Sequence, residues 1–330
     1  MTVSVEGSYS DWSHVTSGVP QGSVLGPLLF ILFVNDIPDN IDSSVKIFAD
    51  DTKVWKIIDK PEDSTDLQND LNKIVAWTDT CLLRLHVGKC KHMKITRDTK
   101  RQMETSYYIK DNSDNYREIN TTKSERDLGI LVTNDLKSST HCGEAVKKAN
   151  RVLFSIRKCF SKLSLSSFKI IYKTYARPHL DYCSQIWSPH LKKDINLIEG
   201  VQRRATKLVK GLRNLSYEER LVSVGLTTLK FRRTRGDLIE TFKIMKNIDK
   251  VDSTQFFSLS NNPHLRGHSL KLFKARVKFT VRQNWFSQRV IDLWNKLLQS
   301  VIDAPSVNSF KNRLDSWCCT EMGRDIRLLN

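Results

Sequence analysis

Between Ile47 and Trp55 two adjacent carboxylates, Asp50 and Asp51, interrupt an apolar stretch that runs from Val45 to Ile58. Short apolar runs on either side of a polar break read as two buried strands meeting at a tight turn. Aspartate is depleted from strands and costly to desolvate, so a pair of them here calls for a partner. A divalent cation that prefers oxygen is the usual one. The chemistry such a pair serves is two-metal phosphoryl transfer, in which ions roughly 4 Å apart activate an attacking hydroxyl and steady the leaving pyrophosphate. Taken alone, an Asp-Asp turn is more often a solvated hairpin tip, so its surroundings decide.

Upstream, Gly18, Pro20, Gly22, Gly26 and Pro27 form a loop whose backbone can approach a ligand closely, and Leu25 to Phe33 supplies a short buried helix. The segment Val15 to Phe30 resembles motif B of reverse transcriptases, and Phe48-Ala49-Asp50-Asp51 resembles their motif C. With Val34-Asn35-Asp36-Ile37-Pro38 following, the wording is similar to that of non-LTR retrotransposon enzymes, LINE or Jockey-like. The resemblance implies an RNA-directed DNA polymerase, a nucleotidyltransferase holding Mg²⁺ on Asp50 and Asp51. It implies Ser17, Gly18, Pro20, Gln21 and Gly22 near nucleotide and template. The implied partners are an RNA template and DNA primer, or an RNA/DNA duplex, with deoxynucleotides.

In that family a motif A aspartate and the fingers precede the hairpin that leads into motif B, whereas here Val3, Val5, Gly7 and Tyr9 of that hairpin follow directly on Met1. Asp50 and Asp51 then supply one side of a two-metal centre. Asp36, Asp39 and Asp42 surround Pro38 and read as solvated turn residues. The expectation is an incomplete palm, inactive as an isolated chain. The alternative is a non-catalytic nucleic-acid-binding protein, or a decayed element product, that keeps a basic thumb.

Charge divides the chain. Up to Asn150 there are 19 Lys or Arg and 22 Asp or Glu, and after it 34 and 14, so the whole +17 excess lies in the second half. A basic half beside a carboxylate-bearing half suits a protein that holds nucleic acid with one part and metal with the other. Seven cysteines without C-x-x-C spacing argue against a disulfide framework and against zinc at Cys81, Cys90 and His92. The chain reads as intracellular, nuclear or cytoplasmic. Its longest apolar run, Leu28 to Val34, is too short to span a bilayer.

Downstream, Leu67, Leu71, Ile74 and Val75 predict a helix after Pro61. Leu82 to Ile95 resembles motif D, which implies Lys89 as a general acid toward pyrophosphate, a role an ammonium beside phosphate charge can fill. Asp111 to Asn115 predicts a hairpin turn. Leu128-Gly129-Ile130 resembles motif E, its glycine permitting close backbone approach. Val146, Ala149, Leu153 and Ile156, then Ile195, Ile198, Val201, Ala205 and Leu208, have helical spacing. Tyr172 to Tyr182 and Ile186 to Pro189 are similar to the thumb of LINE-like enzymes. Arg203, Arg204, Lys207 and Lys210 on one helix, and Lys230, Arg232, Arg233 and Arg235 on another, are candidate contacts to a nucleic-acid backbone. Ser216 to Glu219 predicts a capping box, and Ser309 is read as the N-cap of a terminal helix. The fold class expected is α+β: a right-hand polymerase palm, incomplete, over 1–140, a mainly helical thumb over 141–250, and a basic C-terminal region over 251–330.

Overall fold

A computed structural model describes residues 2–14, 18–19, 22–83, 85–96, 105–111, 113, 115–160, 163–260 and 267–320. Helix and short strand are mixed, and the chain divides into two compact units, Met1–Thr122 and Lys123–Asn330. Among the described residues no helix is long and apolar enough to cross a membrane.

The first unit opens with a hairpin, β1 (Ser4–Val5) and β2 (Ser8–Tyr9), and continues through helix α1 (Leu25–Val34) and a 3₁₀ turn at Ile37–Asn40. Strands β3 (Ser44–Phe48) and β4 (Asp51–Trp55) then pair antiparallel, and helix α2 (Pro61–Thr80) follows. Strands β5 (Lys91–His92) and β8 (Asn120–Thr121) pair in parallel, and β6 (Tyr108–Lys110) pairs antiparallel with β7 (Tyr116–Glu118). Pro61 at the first turn and Asp63, which accepts from the backbone N–H of Asp59 and Lys60 at 2.9 and 2.8 Å, start α2 where the periodicity predicts it.

Two sequence expectations change here. Helix α1 is not buried: Leu25, Leu28, Leu29, Ile31, Leu32 and Phe33 are each about half exposed, and only Val34 is buried. Its side chains are apolar all round, but packing reaches one end only, where Phe30 and Val34 meet Ile37 and Ile74, and Phe33 lies 5.7 Å from the Trp77 ring. Strands β3 and β4 are likewise covered on a single face. Ile47 and Val54 pack toward Ile74, while Phe48 and Trp55 point to solvent, because alternation forbids one strand from burying both faces against one helix.

Asp70 fixes how that hairpin sits on α2. The carboxylate is almost wholly buried and accepts from the Ser43 N–H at 2.8 Å, the Asp42 N–H at 3.3 Å and the Lys73 ammonium at 2.9 Å. Burial alone would raise its pKa, but these donors outweigh it and bring the group from 3.8 to about 2. A depressed carboxylate contributes stability above its unfolded value and loses it as pH falls through the folded one. Asp70→Asn is therefore expected to cost the first unit about 2 kcal/mol at pH 7. In urea unfolding, the difference from the parent chain should shrink between about pH 4 and pH 2.

The second unit begins with a hairpin, β9 (Ser124–Asp127) and β10 (Ile130–Thr133). Leu128 and Gly129, φ 44° and 87°, make its two-residue turn. The close approach expected at Gly129 is real, but it comes from a side chain: the Tyr182 ring stands 3.3 Å from where a Cβ would lie, and its hydroxyl donates to the Leu128 carbonyl at 3.0 Å.

Helices follow: α3 (Ser139–Cys159), α4 (Leu165–Ile171), a π-helical turn at Tyr172–Ala176, α5 (Pro178–Asp181), α6 (Ser184–Trp187), α7 (Lys192–Thr206), α8 (Tyr217–Val224) and α9 (Leu229–Met245). The short α10 (Thr280–Gln283), α11 (Phe286–Arg289), α12 (Ile291–Trp294) and α13 (Gln299–Ile302) precede α14 (Val307–Thr320). The apolar stripes of α3 and α7 meet in one core with Phe168, Tyr172 and Leu221. A second core gathers Phe242, Trp294, Phe310 and Leu314. Helix α9 serves both, through Leu229 in the first and Phe231 onward in the second. The capping box at Ser216 and Glu219 forms as expected. The last helix starts earlier than expected: Ser306, not Ser309, accepts from the Ser309 N–H at 3.1 Å, which places Ser309 inside the first turn.

His141 joins the β9–β10 hairpin to α3. The ring lies 4.8 Å from that of Trp187, centroid to centroid and tilted at 57°, and the Leu131 N–H donates to its Nδ1 at 3.0 Å, so the imidazole is neutral with its proton on Nε2. Burial first, then the nearby Arg126 and Lys148, push its pKa down to about 4. A histidine held neutral contributes stability above its unfolded value of 6.5 and loses it as pH falls toward 4. The second unit should lose about 3 kcal/mol over that interval. Replacement by Gln should flatten that segment of the pH–stability curve, with Trp fluorescence following the transition.

Candidate functional site

The Asp pair sits on the shortest connection a hairpin allows. Phe48 pairs with Asp51, leaving Ala49 and Asp50 as the turn, and Ala49 takes φ 51°. That left-handed backbone costs a non-glycine residue roughly 1–2 kcal/mol and persists where packing over-determines it. The packing is the inward face, Ile47 and Val54 against Ile74, which pins the register. Alternation then sends Phe48 and Asp51 outward with Lys46, Lys53 and Trp55. Asp50 and Asp51 are exposed, and among the described residues neither side chain forms a hydrogen bond or ion pair. Two carboxylates on one turn are a donor set that Mg²⁺ takes together with substrate phosphates and water, so these residues fit that ion. No group of three His, Cys, Asp or Glu side chains able to hold a metal occurs among the described residues.

Other expected site residues are placed less closely. Ser17, Pro20 and Gln21 lie outside the described residues. Gly18 and Gly22 have φ of 80° and 85°, with open space where a Cβ would stand, a backbone that glycine alone adopts freely. Lys89 is exposed at the end of a 3₁₀ turn, Val87–Lys89, whose following strand β5 bonds to β8 and not to the β3–β4 hairpin.

The basic residues separate into two groups. Arg203, Arg204, Lys207 and Lys210 are exposed at and just beyond the C-terminal end of α7. Arg203 lies over the Tyr217 ring at 4.7 Å, and Arg204 donates to Asn150 of α3 at 3.0 Å. That bond aligns α7 with an exposed stripe on α3, Lys147, Arg151 and Lys158, which the sequence reading passed over. The stripe is the complement of the apolar positions 146, 149, 153 and 156, so the same periodicity carries its signal.

On α9 the arginines turn inward. Arg232 pairs with Asp181 at 2.8 Å, and Arg235 grips Asp315 in bidentate fashion at 2.7 and 2.8 Å. Arg233 is only 3% exposed, because α9 lies between two cores and its charged residues meet protein on most sides.

Beside the α3 stripe is an open groove of about 660 Å³ lined by Arg151, Phe160, Tyr175 and His179. Tyr175 belongs to the π-helical turn and is exposed. Exposed rings next to arginine can stack bases while the lysines meet phosphates.

Residues 2–130 match the family described as Reverse transcriptase (RNA-dependent DNA polymerase). The chain is 28% identical over 210 residues to the probable RNA-directed DNA polymerase from transposon X-element of Drosophila melanogaster, covering 60% of this chain and 22% of that protein. It is 29% identical over 222 residues to the RNA-directed DNA polymerase from mobile element jockey of the same species, covering 63% and 23%. To the probable RNA-directed DNA polymerase from transposon BS it is 27% identical over 223 residues, covering 63% and 24%. The chain thus spans less than a quarter of the length of these relatives. No solved structure matches it.

Proposed function

We propose that the chain serves RNA-directed DNA polymerisation, a reading supported by the match of residues 2–130 to the reverse transcriptase family and by the similarity to the RNA-directed DNA polymerases of mobile element jockey and transposon X-element. The observation that carries this reading is the exposed Asp50–Asp51 pair, at the Ala49–Asp50 turn and the start of β4 inside the matched segment, with no side-chain partner among the described residues. Asp50 and Asp51 would hold Mg²⁺ on one side of the centre. Bound there, the ion would polarise the primer hydroxyl and neutralise triphosphate charge. The turn fixes the carboxylates in place. Ser17, Gly18, Pro20, Gln21 and Gly22 would serve nucleotide and template binding, and Lys89 would donate a proton toward pyrophosphate. Residues 1–140 are the palm, 141–250 the thumb and 251–330 a basic C-terminal region. The α3–α7 face holds an RNA template with its DNA primer, in the nucleus or cytoplasm.

A second reading, nucleic-acid binding without catalysis, is favoured by the exposed basic residues of α3 and the end of α7, which lie outside the segment matched to reverse transcriptases. Manganese titration followed by electron paramagnetic resonance separates the two. Polymerisation expects saturable Mn²⁺ binding that tightens with a deoxynucleoside triphosphate and disappears in Asp50→Asn/Asp51→Asn, with duplex binding retained. Mn²⁺ binding that the double variant leaves unchanged would remove the carboxylate pair from any catalytic role.

A further inference from the structure

Within the second unit a cavity of about 320 Å³ lies where the segment after α6, helix α9 and the α11–α12 region meet. Its volume is at the small end of ligand sites, which run from roughly 300 to 1,000 Å³. Two cations one helical turn apart on α9, Lys230 and Arg233, border it, as do the mutually paired Asp237 and Arg289 and, from other segments, His190 and Asn284.

Arg233 is the unusual member. It is 3% exposed, its Nη1 has no hydrogen-bond partner, and it forms no ion pair among the described residues. The carboxylate one turn further along α9, Asp237, is already taken. Both of its oxygens accept from Arg289, at 2.8 and 2.9 Å. A guanidinium stays charged in proteins, and a buried charge without a counter-ion is costly. Burial pushes the Arg233 group below its ordinary value, and the carboxylates of Glu199, Asp181 and Asp237 oppose that shift without forming an ion pair with it. A water could fill one hydrogen bond but would leave the guanidinium without an anion in direct contact. Lys230, half-buried on the rim, adds a second positive charge with no ion pair among the described residues.

We propose that this cavity binds a terminal phosphate monoester, with the Arg233 fork and the Lys230 ammonium as its cationic contacts. A monoester carries close to two negative charges at neutral pH and matches the two cations, whereas an internal phosphodiester carries one. The planar fork suits phosphate oxygens, and the cavity leaves room for part of the group that bears the phosphate. Such a phosphate comes either from a free nucleotide or from the 5′ end of a strand. The site lies outside the segment matched to reverse transcriptases and does not depend on the polymerase reading.

The test uses the full chain at constant ionic strength. Inorganic phosphate and thymidine 5′-monophosphate should raise the melting temperature saturably, and thymidine should not. Lys230→Gln should weaken phosphate binding about tenfold or more, the scale of one charge-assisted hydrogen bond, and Arg233→Met should weaken it at least as much. Lys230 is on the rim, so its variant keeps the test valid if Arg233→Met fails to fold. An oligonucleotide with a 5′-phosphate that binds tighter than its 5′-hydroxyl twin, by a margin lost in Lys230→Gln, assigns the site to strand ends. Equal binding of the twins alongside saturable nucleotide binding assigns it to free nucleotides. No saturable effect of phosphate or nucleotide, or the same effect in the parent and Lys230→Gln, overturns the proposal.

Discussion

Arg289→Leu is expected to destabilise the second unit by about 3–5 kcal/mol, the scale for stranding one member of a buried ion pair. Every arm of this guanidinium is used. Nε and Nη2 donate to the two oxygens of Asp237, Nη1 donates to the Asn284 carbonyl at 3.0 Å, and Nη2 also reaches the carbonyls of Gln185 at 2.9 Å and Ser184 at 3.4 Å. One side chain therefore ties α6, α9 and the segment before α11 together. Removing it leaves Asp237, whose side chain is 7% exposed, as a carboxylate that burial already pushes up in pKa. The double variant Arg289→Leu/Asp237→Leu should cost less than Arg289→Leu alone, since the stranded charge goes with its partner. Urea unfolding of the single and double variants checks both. A double variant as damaged as the sum of the singles would mean that the carbonyl contacts, not the ion pair, carry the effect.

Affinity for a template-primer duplex is expected to fall by about a thousandfold between 50 and 200 mM salt, as for a protein making some six phosphate contacts. The six are Lys147, Arg151 and Lys158 on α3, with Arg204, Lys207 and Lys210 at the end of α7, all exposed and gathered by the Arg204–Asn150 bond; Lys147 also meets Glu144 at 2.8 Å, an exposed pair that phosphate can displace. Replacing Lys207 or Lys210 by Gln should weaken binding evenly across sequences and lower the salt slope by about one. Arg232→Gln and Arg235→Gln should leave the slope unchanged, because those guanidiniums are engaged with Asp181 and Asp315. Fluorescence anisotropy over a salt series decides between the faces. A slope that moves with α9 and not with α7 would relocate the duplex.

What the sequence made legible was periodic or strongly local. The start of α2, the capping box at Ser216 and the two-residue turn bearing Asp50 all follow from short-range rules, and each stands where those rules put it. Burial was less legible, because it depends on what arrives from elsewhere in the fold. Nothing within Leu25 to Phe33 says that only its last turn finds a partner. The pairing of the α9 arginines was illegible for the same reason. Their spacing resembles a solvated basic face, and only the positions of Asp181 and Asp315, distant in sequence, turn Arg232 and Arg235 into internal clasps. The α3 stripe was readable in principle, as the remainder once the apolar positions are subtracted.

Helix α9 packs against two cores, and that sets an order of events during synthesis. When it leaves the ribosome its first turn can settle at once against α7 and α8, which precede it, but Phe242 stacks on Phe310, 4.2 Å away between ring centroids. Until Phe310 has been made, that flank of α9 stays wet, and the second unit waits half closed for α14.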